Sequence, residues 1–213
     1  MKIVTINPVR PQLELLQQAA IIIRSGGVIG YPTETIYGLG ADALNPTAVE
    51  RVYQLKGRDQ CKQLLIIAES LAQVRSLIAE FPSVAKLLAD HFWPGPLTLV
   101  FAAADNLPKN LVGADKTIGV RIPDHRICRE LIRLCGVPIT STSANLAGGK
   151  NPTSAGEVAT NFGKHLPLII DGGVAKSKVA STVISVASGK IRLLREGVIK
   201  KSQLESITGR LYE

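Results

Sequence analysis

Four short segments carry polar side chains at spacings suited to holding an anion. In YPTETIYGLGADA (31–43), Thr33, Glu34 and Thr35 stand at the end of a strand, and Gly38 and Gly40 flank Leu39. Hydroxyls and exposed backbone N–H groups there would receive a small polar ligand, and the glycines would let it approach the chain closely. The same letters also describe a plain strand–turn–strand corner. In KGRDQCK (56–62), Lys56, Arg58 and Lys62 follow an apolar helix. In extended chain Lys56 and Arg58 fall on one side, which suits clamping a polyphosphate or a carboxylate. Taken alone, such a run is a solvated basic turn. In STSANLAGGKNPT (141–153), Ser141, Thr142, Ser143 and Asn145 follow the apolar strand VPIT directly. Hydroxyl and amide groups at a strand's C-terminal end make an oxyanion cradle. An Asx/Ser turn closed by Gly148-Gly149 is the plainer alternative, but polar crowding directly against an apolar strand favours binding. The fourth group is GVRIP, STV and LLREG: Arg121 inside a strand, Ser181-Thr182 at a strand start and Arg195 at a strand end. An arginine in an otherwise apolar strand must leave the core or meet an anion.

Several other chemistries find no support. There is no GxxxxGK[ST] and no GxGxxG opening a helix, so a nucleotide would have to be held by another geometry. Cys61, Cys128 and Cys135 form no CxxC, and His91, His125 and His165 are scattered. A metal held by protein side chains is not expected; the thiols read as buried or idle in a reducing cytosol. No Ser-His-Asp or Cys-His arrangement emerges, and His91 and His125 have no acid–base partner pattern. Trp93, ahead of Pro94-Gly95-Pro96, reads as a packing anchor for that turn.

The elements that must position these groups alternate. PQLELLQQAAIIIRSGG predicts a helix with Leu13, Leu16, Ala20 and Ile23 on one face. A strand at VIGYP, a helix from Pro46 to Leu55 and a strand at LLIIA (64–68) follow. Helices are expected at Leu71–Ala79 and Val84–Ala89, strands at LTLVFAA (97–103) and TIGVRI (117–122), and a helix capped by Asp124 running to Cys135. PITSTSAN reads as a buried strand ending in a polar loop. Ser154–Phe162 is helical, PLIIDGG, TVISVA and KIRLLREG are strands, and a short helix ends the chain. SGK (188–190) marks a hairpin, so the sheet must be mixed. The expected fold is α/β: a single domain over residues 1–213, its core from about 11 to 200, built on one twisted parallel/antiparallel sheet flanked by helices. With 213 residues and 46% hydrophobic side chains the chain builds a real core. No apolar run reaches the roughly 18 residues of a membrane span, and Pro8, Pro11 and Glu14 interrupt any leader. A cytoplasmic protein without membrane contact is therefore expected. Lys and Arg number 25 against 17 Asp and Glu, a net charge of +8 that favours phosphates, nucleotides or nucleic acid as partners.

In their order, PTETIYGLG, KGR, FWPGPLTLVF, VRIPDH, STSAN, STV and REG resemble the YrdC/YciO-type family of threonylcarbamoyl-AMP synthases, from about Gly27 to Gly197. The family's KxR and SxN signatures stand here as Lys56-Gly57-Arg58 and Ser143-Ala144-Asn145. Each triplet alone is trivial; the ordered set is specific. The resemblance implies a twisted α/β fold with a basic concave face and a cytosolic nucleotidyltransferase. That enzyme condenses L-threonine, bicarbonate and ATP, with Mg²⁺, into threonylcarbamoyl-adenylate and releases pyrophosphate. It further implies a partner transferase that passes the group to the anticodon-adjacent adenosine of tRNA. Carried over, Lys56, Arg58, Ser143 and Asn145 are the catalytic set. Thr35, Ser141 and Ser143 hold threonine. The nucleotide falls to Lys56, Arg58, Lys62, Thr117, Arg121, Thr142, Asn145, Ser181 and Arg195. Mg²⁺ would bridge phosphate oxygens with few protein ligands.

Asp59 and Gln63 stand where many members carry proline. REG falls close to the end of the sequence, so a short form without the extra C-terminal domain of longer members is expected. Replacing Lys56 or Arg58 by alanine is expected to reduce turnover far more than stability. The competing reading is a YciO-like RNA-binding module, for tRNA or double-stranded RNA, that uses the basic face without this activity. Residues 151–213 carry 9 basic and 5 acidic groups against 3 and 4 in residues 1–50, and RNA affinity of that kind would fall steeply with salt.

Overall fold

A computed structural model of the chain describes residues 1–57, 63–146 and 148–211. Eleven strands form among these residues: β1 (Lys2–Thr5), β2 (Ile29–Tyr31), β3 (Gly38–Gly40), β4 (Leu65–Ile67), β5 (Leu97–Ala102), β6 (Thr117–Arg121), β7 (Ile139–Thr140), β8 (Thr142–Ser143), β9 (Leu168–Asp171), β10 (Thr182–Ser185) and β11 (Arg192–Arg195). Seven helices accompany them: α1 (Leu13–Arg24), α2 (Pro46–Lys56), α3 (Leu71–Arg75), α4 (Ser83–Phe92), α5 (Arg126–Cys135), α6 (Ala155–Phe162) and α7 (Lys201–Thr208).

The pairing is mixed, as the hairpin signal requires: β10 and β11 are antiparallel around the turn that contains Gly189, while β10 runs parallel to β5 and β4 parallel to β6. The expected single sheet is instead two. One has the order β1-β9-β2-β3-β8 and the other β11-β10-β5-β6-β4-β7. The strand read from PITSTSAN is what divides them: β7 pairs with β4 and β8 with β3, so the chain changes sheets at Ser141. Asp42, just past β3, bridges back to Ile139 and keeps the two sheets adjoining.

Two apolar clusters hold the layers together. One lies under α1 and α5, where Leu16, Ala20, Ile23, Ile127, Leu131 and Ile132 meet Ile29, Ile67, Ile139 and Ile170 from both sheets. The larger one fills the other side, around Val49, Val52, Leu88, Leu99, Phe101 and Val158. Leu13 is 46% exposed, so the apolar face of α1 runs through Ala19 instead. The helix predicted over 71–79 stops at Arg75, because Ile78 turns away to bridge Ala103 in β5's extension. His125, not Asp124, is the N-cap of α5 and makes no side-chain cap bond; Asp124 lies one residue too early. Trp93 donates from Nε1 to the Leu97 carbonyl at 2.7 Å, anchoring its turn. Cys128 and Cys135 are free and buried. Cys61 lies outside the described residues, as do the predicted site residues Arg58 and Lys62 and the proline-position residue Asp59.

Candidate functional site

Thr140 rivets the seam between the sheets. Its hydroxyl donates to the Leu39 carbonyl and accepts from the Ala41 N–H, both at 3.0 Å, and its carbonyl accepts from the Tyr31 hydroxyl at 3.0 Å. Burial pushes the Tyr31 phenol far above its ordinary pKa, so it remains a neutral donor. Its ring explains the glycines of the first motif. A Cβ on Gly40 would stand 2.8 Å from Tyr31 Cε1, and one on Gly38 3.4 Å from the same atom. The expected close approach of a ligand is here first an approach of Tyr31, although Gly38 also borders the cleft described next.

Beside the seam opens a cleft of about 400 Å³. It lies where β8, the β2–β3 turn and the ends of β6, β10 and β11 converge, outside strand ends as ligand sites of α/β sheets do. Thr35, Arg121, Ser141, Thr142, Ser143, Ser181 and Arg195, all singled out in the sequence, line it. They come from five separate stretches of chain. Lys178 and Arg195 add positive charge at the wall, and Glu196 is the one carboxylate among the described lining residues.

The hydrogen bonds fix which groups the wall offers. Thr33 spends its hydroxyl proton on the Ile36 carbonyl at 2.7 Å, so the 2.9 Å contact between Thr33 and Thr35 is donated by Thr35. The lone pairs of Thr35 are then presented as acceptors, fitting an ammonium or hydroxyl donor. Ser143 likewise donates to Asn145 Oδ1 at 2.6 Å. Arg195 donates through Nε and Nη2 to the Ser181 carbonyl at 3.1 and 2.8 Å, and Ser181 Oγ lies 2.9 Å from Thr98 Oγ1. Tyr37 donates to the Gly173 carbonyl at 2.6 Å and pins the start of the loop that carries Lys178.

Lys56 is not where extended chain would put it. Asn45 caps the start of α2 by accepting from Thr47 and Ala48, and Gly57, with φ of 55°, ends the helix, so Lys56 is its last helical residue. The lysine is 3% exposed, and its Nζ donates to the Ser143 carbonyl at 2.5 Å and the Asn145 carbonyl at 2.8 Å. The ammonium fastens the STSAN loop from behind and is not among the residues lining the cleft. Asn145 also turns inward, with Nδ2 donating to the Gly149 carbonyl. Thr117 sits one layer back too: its hydroxyl donates to Asp115 Oδ1 at 2.7 Å, and its carbonyl accepts from the amide of Gln63, which does reach the cleft. Gln63, Asn151, Lys178 and Glu196 are among the lining residues that sequence reasoning did not assign to the site. Gln63 carries a signal in the sequence, since it stands at a position where the resemblance leads one to expect proline.

Gly197 holds β11 against the cleft wall. Its N–H donates to Thr182 Oγ1 at 3.0 Å, and a Cβ there would run into the Ala180 carbonyl oxygen and stand 2.6 Å from the Ser181 carbonyl carbon. Those obstacles are backbone atoms. Gly197→Ala is expected to cost about 1–3 kcal/mol and to spoil the Arg195–Ser181 geometry. Gly119→Ala, whose one close obstacle is the tip of the Leu65 side chain while the Thr98 and Val100 methyls lie at an ordinary 3.5 Å, should cost less. Denaturant unfolding of both variants checks the ranking.

Residues 21–197 match the profile of the Sua5/YciO/YrdC family, which carries the description "Telomere recombination". A curated threonylcarbamoyl-AMP synthase of Pyrococcus abyssi is 42% identical over 193 residues, covering 91% of this chain and 57% of the relative. The solved structure of P. abyssi Sua5 complexed with L-threonine superposes with a TM-score of 0.95 at 39% identity, over 99% of this chain and 62% of that one. E. coli YciO superposes with a TM-score of 0.86 at 29% identity, over 95% and 98%. The chain thus spans under two thirds of the length of the Pyrococcus protein. Its matched residues include β2, the β2–β3 turn, the STSAN loop and the β10–β11 wall, and with them every described residue of the cleft. The chain belongs to the Sua5/YciO/YrdC family.

Proposed function

We propose that this chain catalyses ATP-dependent formation of L-threonylcarbamoyl-adenylate from L-threonine and bicarbonate, with release of pyrophosphate. The observation that carries the proposal is the convergence on one cleft of hydroxyl acceptors (Thr35, Ser143) and of cationic donors (Arg121, Arg195). An amino acid and a triphosphate need those two kinds of wall. In this reading the free amine of threonine takes up CO₂ from bicarbonate to give a carbamate. A carbamate oxygen attacks the α-phosphorus, and the bond to the bridging oxygen breaks as pyrophosphate departs. Such a step depends on orientation and on stabilising developing negative charge more than on a strong base. Thr35, Ser141 and Ser143 orient the amino acid; Arg121, Thr142, Ser181 and Arg195 meet the nucleotide. Lys56 and Asn145 act through the loop they fasten, Thr117 acts through Gln63, which its carbonyl holds at the cleft, and Arg58 and Lys62 keep the nucleotide roles that the resemblance implies. Mg²⁺ accompanying ATP would supply neutralisation of phosphate charge, and Glu196 is the wall residue whose chemistry would suit holding it.

No helix among the described residues is long and apolar enough to cross a membrane. The reading places the reaction in the cytoplasm, ahead of a partner transferase and tRNA, with the basic residues after 150 as an approach surface for RNA. The test is pyrophosphate release from ATP by the purified, folded chain. Release is expected only when threonine and bicarbonate are both present; release that ignores threonine, or none at all, overturns the proposal.

A further inference from the structure

The buried arginine of β6 has an anion of its own. Arg121 Nη1 donates to Glu34 Oε1 at 2.5 Å, with the two side chains 5% and 12% exposed. A guanidinium carries five N–H donors, and among the described residues this is the one bond Arg121 makes. The second oxygen, Glu34 Oε2, is buried with no partner. A pair built for stability alone would join as a two-bond fork and satisfy both oxygens, because a bare buried carboxylate oxygen is costly. Here the contact is single-pointed, and it leaves the other donors of Arg121 uncommitted at the wall of the cleft. Glu34 sits between Thr33 and Thr35, which both line the cleft, whereas Glu34 is not among the lining residues. It reaches an arginine 87 residues further along the chain.

We propose that Glu34 is a positioning residue that fixes the rotamer of Arg121 so that its uncommitted donors face the cleft, and that it thereby sets the affinity of the cleft for polyphosphate. The proposal rests on the reading of the cleft as a triphosphate site. Glu34 also couples the two halves of that site, since the turn that presents Thr35 and the arginine that meets phosphate cannot shift independently.

The experiment compares wild type with Glu34→Gln, which keeps the shape and an acceptor oxygen but not the charge, and with Glu34→Ala. One arm follows the ¹⁵N resonances of the Arg121 guanidinium, identified by their loss in Arg121→Lys. The other titrates folded protein with ATP and with inorganic triphosphate by calorimetry. Wild type should show restricted rotation about the guanidinium bonds, and Glu34→Gln should show averaging together with about tenfold weaker binding of both ligands, the weight of one charge-assisted hydrogen bond. Glu34→Ala should lose at least as much, and the ATP KM should rise more than kcat falls. A purely structural pair would lower the melting temperature yet leave affinity per folded molecule unchanged. That result, or restricted rotation persisting in Glu34→Gln, overturns the proposal. If wild type binds neither ligand, the triphosphate reading fails by itself. The rotation arm then decides the positioning role: release in the variants supports it, and persistence overturns it.

Discussion

Replacing Lys56 with methionine is expected to lower stability by about 2–4 kcal/mol and to abolish most turnover, the two losses appearing together. Methionine nearly conserves volume, so the cost is not a cavity. What disappears is the donor for the carbonyls of Ser143 and Asn145, which the ammonium meets at 2.5 and 2.8 Å. A buried acceptor left bare costs about 1–3 kcal/mol, so two of them would cost about 2–6 kcal/mol. Part of this is offset because the variant no longer buries an ammonium group. The activity loss follows from the same bonds: without them Ser143 keeps its β8–β3 pairing on one side but loses the support behind the loop that sets its hydroxyl toward the cleft. This reverses the expectation from sequence that the lysine matters for turnover far more than for stability. Denaturant midpoints at constant m, set beside turnover per folded molecule, check it. A variant with wild-type stability would show that the loop is fastened by something else.

Arg121→Ala should be the more damaging single change, costing about 3–5 kcal/mol. Arg121 is 4% exposed, and its removal would strand the carboxylate of Glu34 in the interior with neither oxygen partnered. The cost therefore belongs mostly to the residue left behind. It follows that the double variant Arg121→Met/Glu34→Leu should recover most of the lost stability, because an apolar pair replaces a half-satisfied ionic one. Activity should not return with it. Thermal or denaturant unfolding of the three proteins, with turnover measured on each, separates the two contributions. A double variant as unstable as Arg121→Ala would place the damage in packing instead of charge.

What the sequence made legible was whatever depends on neighbours along the chain. α2 starts at Pro46 and α5 ends at Cys135 as the sequence predicts, and the SGK turn announces the β10–β11 hairpin, because helix ends and turns are local chemistry. The wall residues Thr35, Ser141, Ser143, Ser181 and Arg195 were legible because hydroxyls and charges stand out at strand ends. β1 was not, since only Val4 of its four residues is buried and its partner, β9, lies near the other end of the sequence. Nor was the division into two sheets, which depends on whether Thr140 and Thr142 find β4 or β3 as neighbours. Lys56 was misplaced for a smaller reason: the left-handed Gly57 adds one residue of helix, and that turns a side chain expected beside Arg58 toward the STSAN loop. Arg121 required an anion by its burial, but nothing local named Glu34 as that anion.

The crossing at Ser141 has a consequence for how the protein is made. One wall of the cleft comes from the β2–β3 turn, an early part of the chain. That turn is held through β8 and through the Tyr31–Thr140 bond, which spans 109 residues, and the opposite wall arrives only with Ser181 and Arg195. Contacts this distant in sequence are slow to form, because loop closure must precede their reward. A nascent chain that has emerged from the ribosome only through β6 has Thr35, Arg121 and Glu34 in hand but no β8 to dock the turn and no β10–β11 to close the cleft. Substrates are then invisible to it, and ligand binding stabilises the chain only after release of the last strands. Small-molecule rescue of folding would accordingly act late, on the nearly finished protein, and leave earlier intermediates to chaperones.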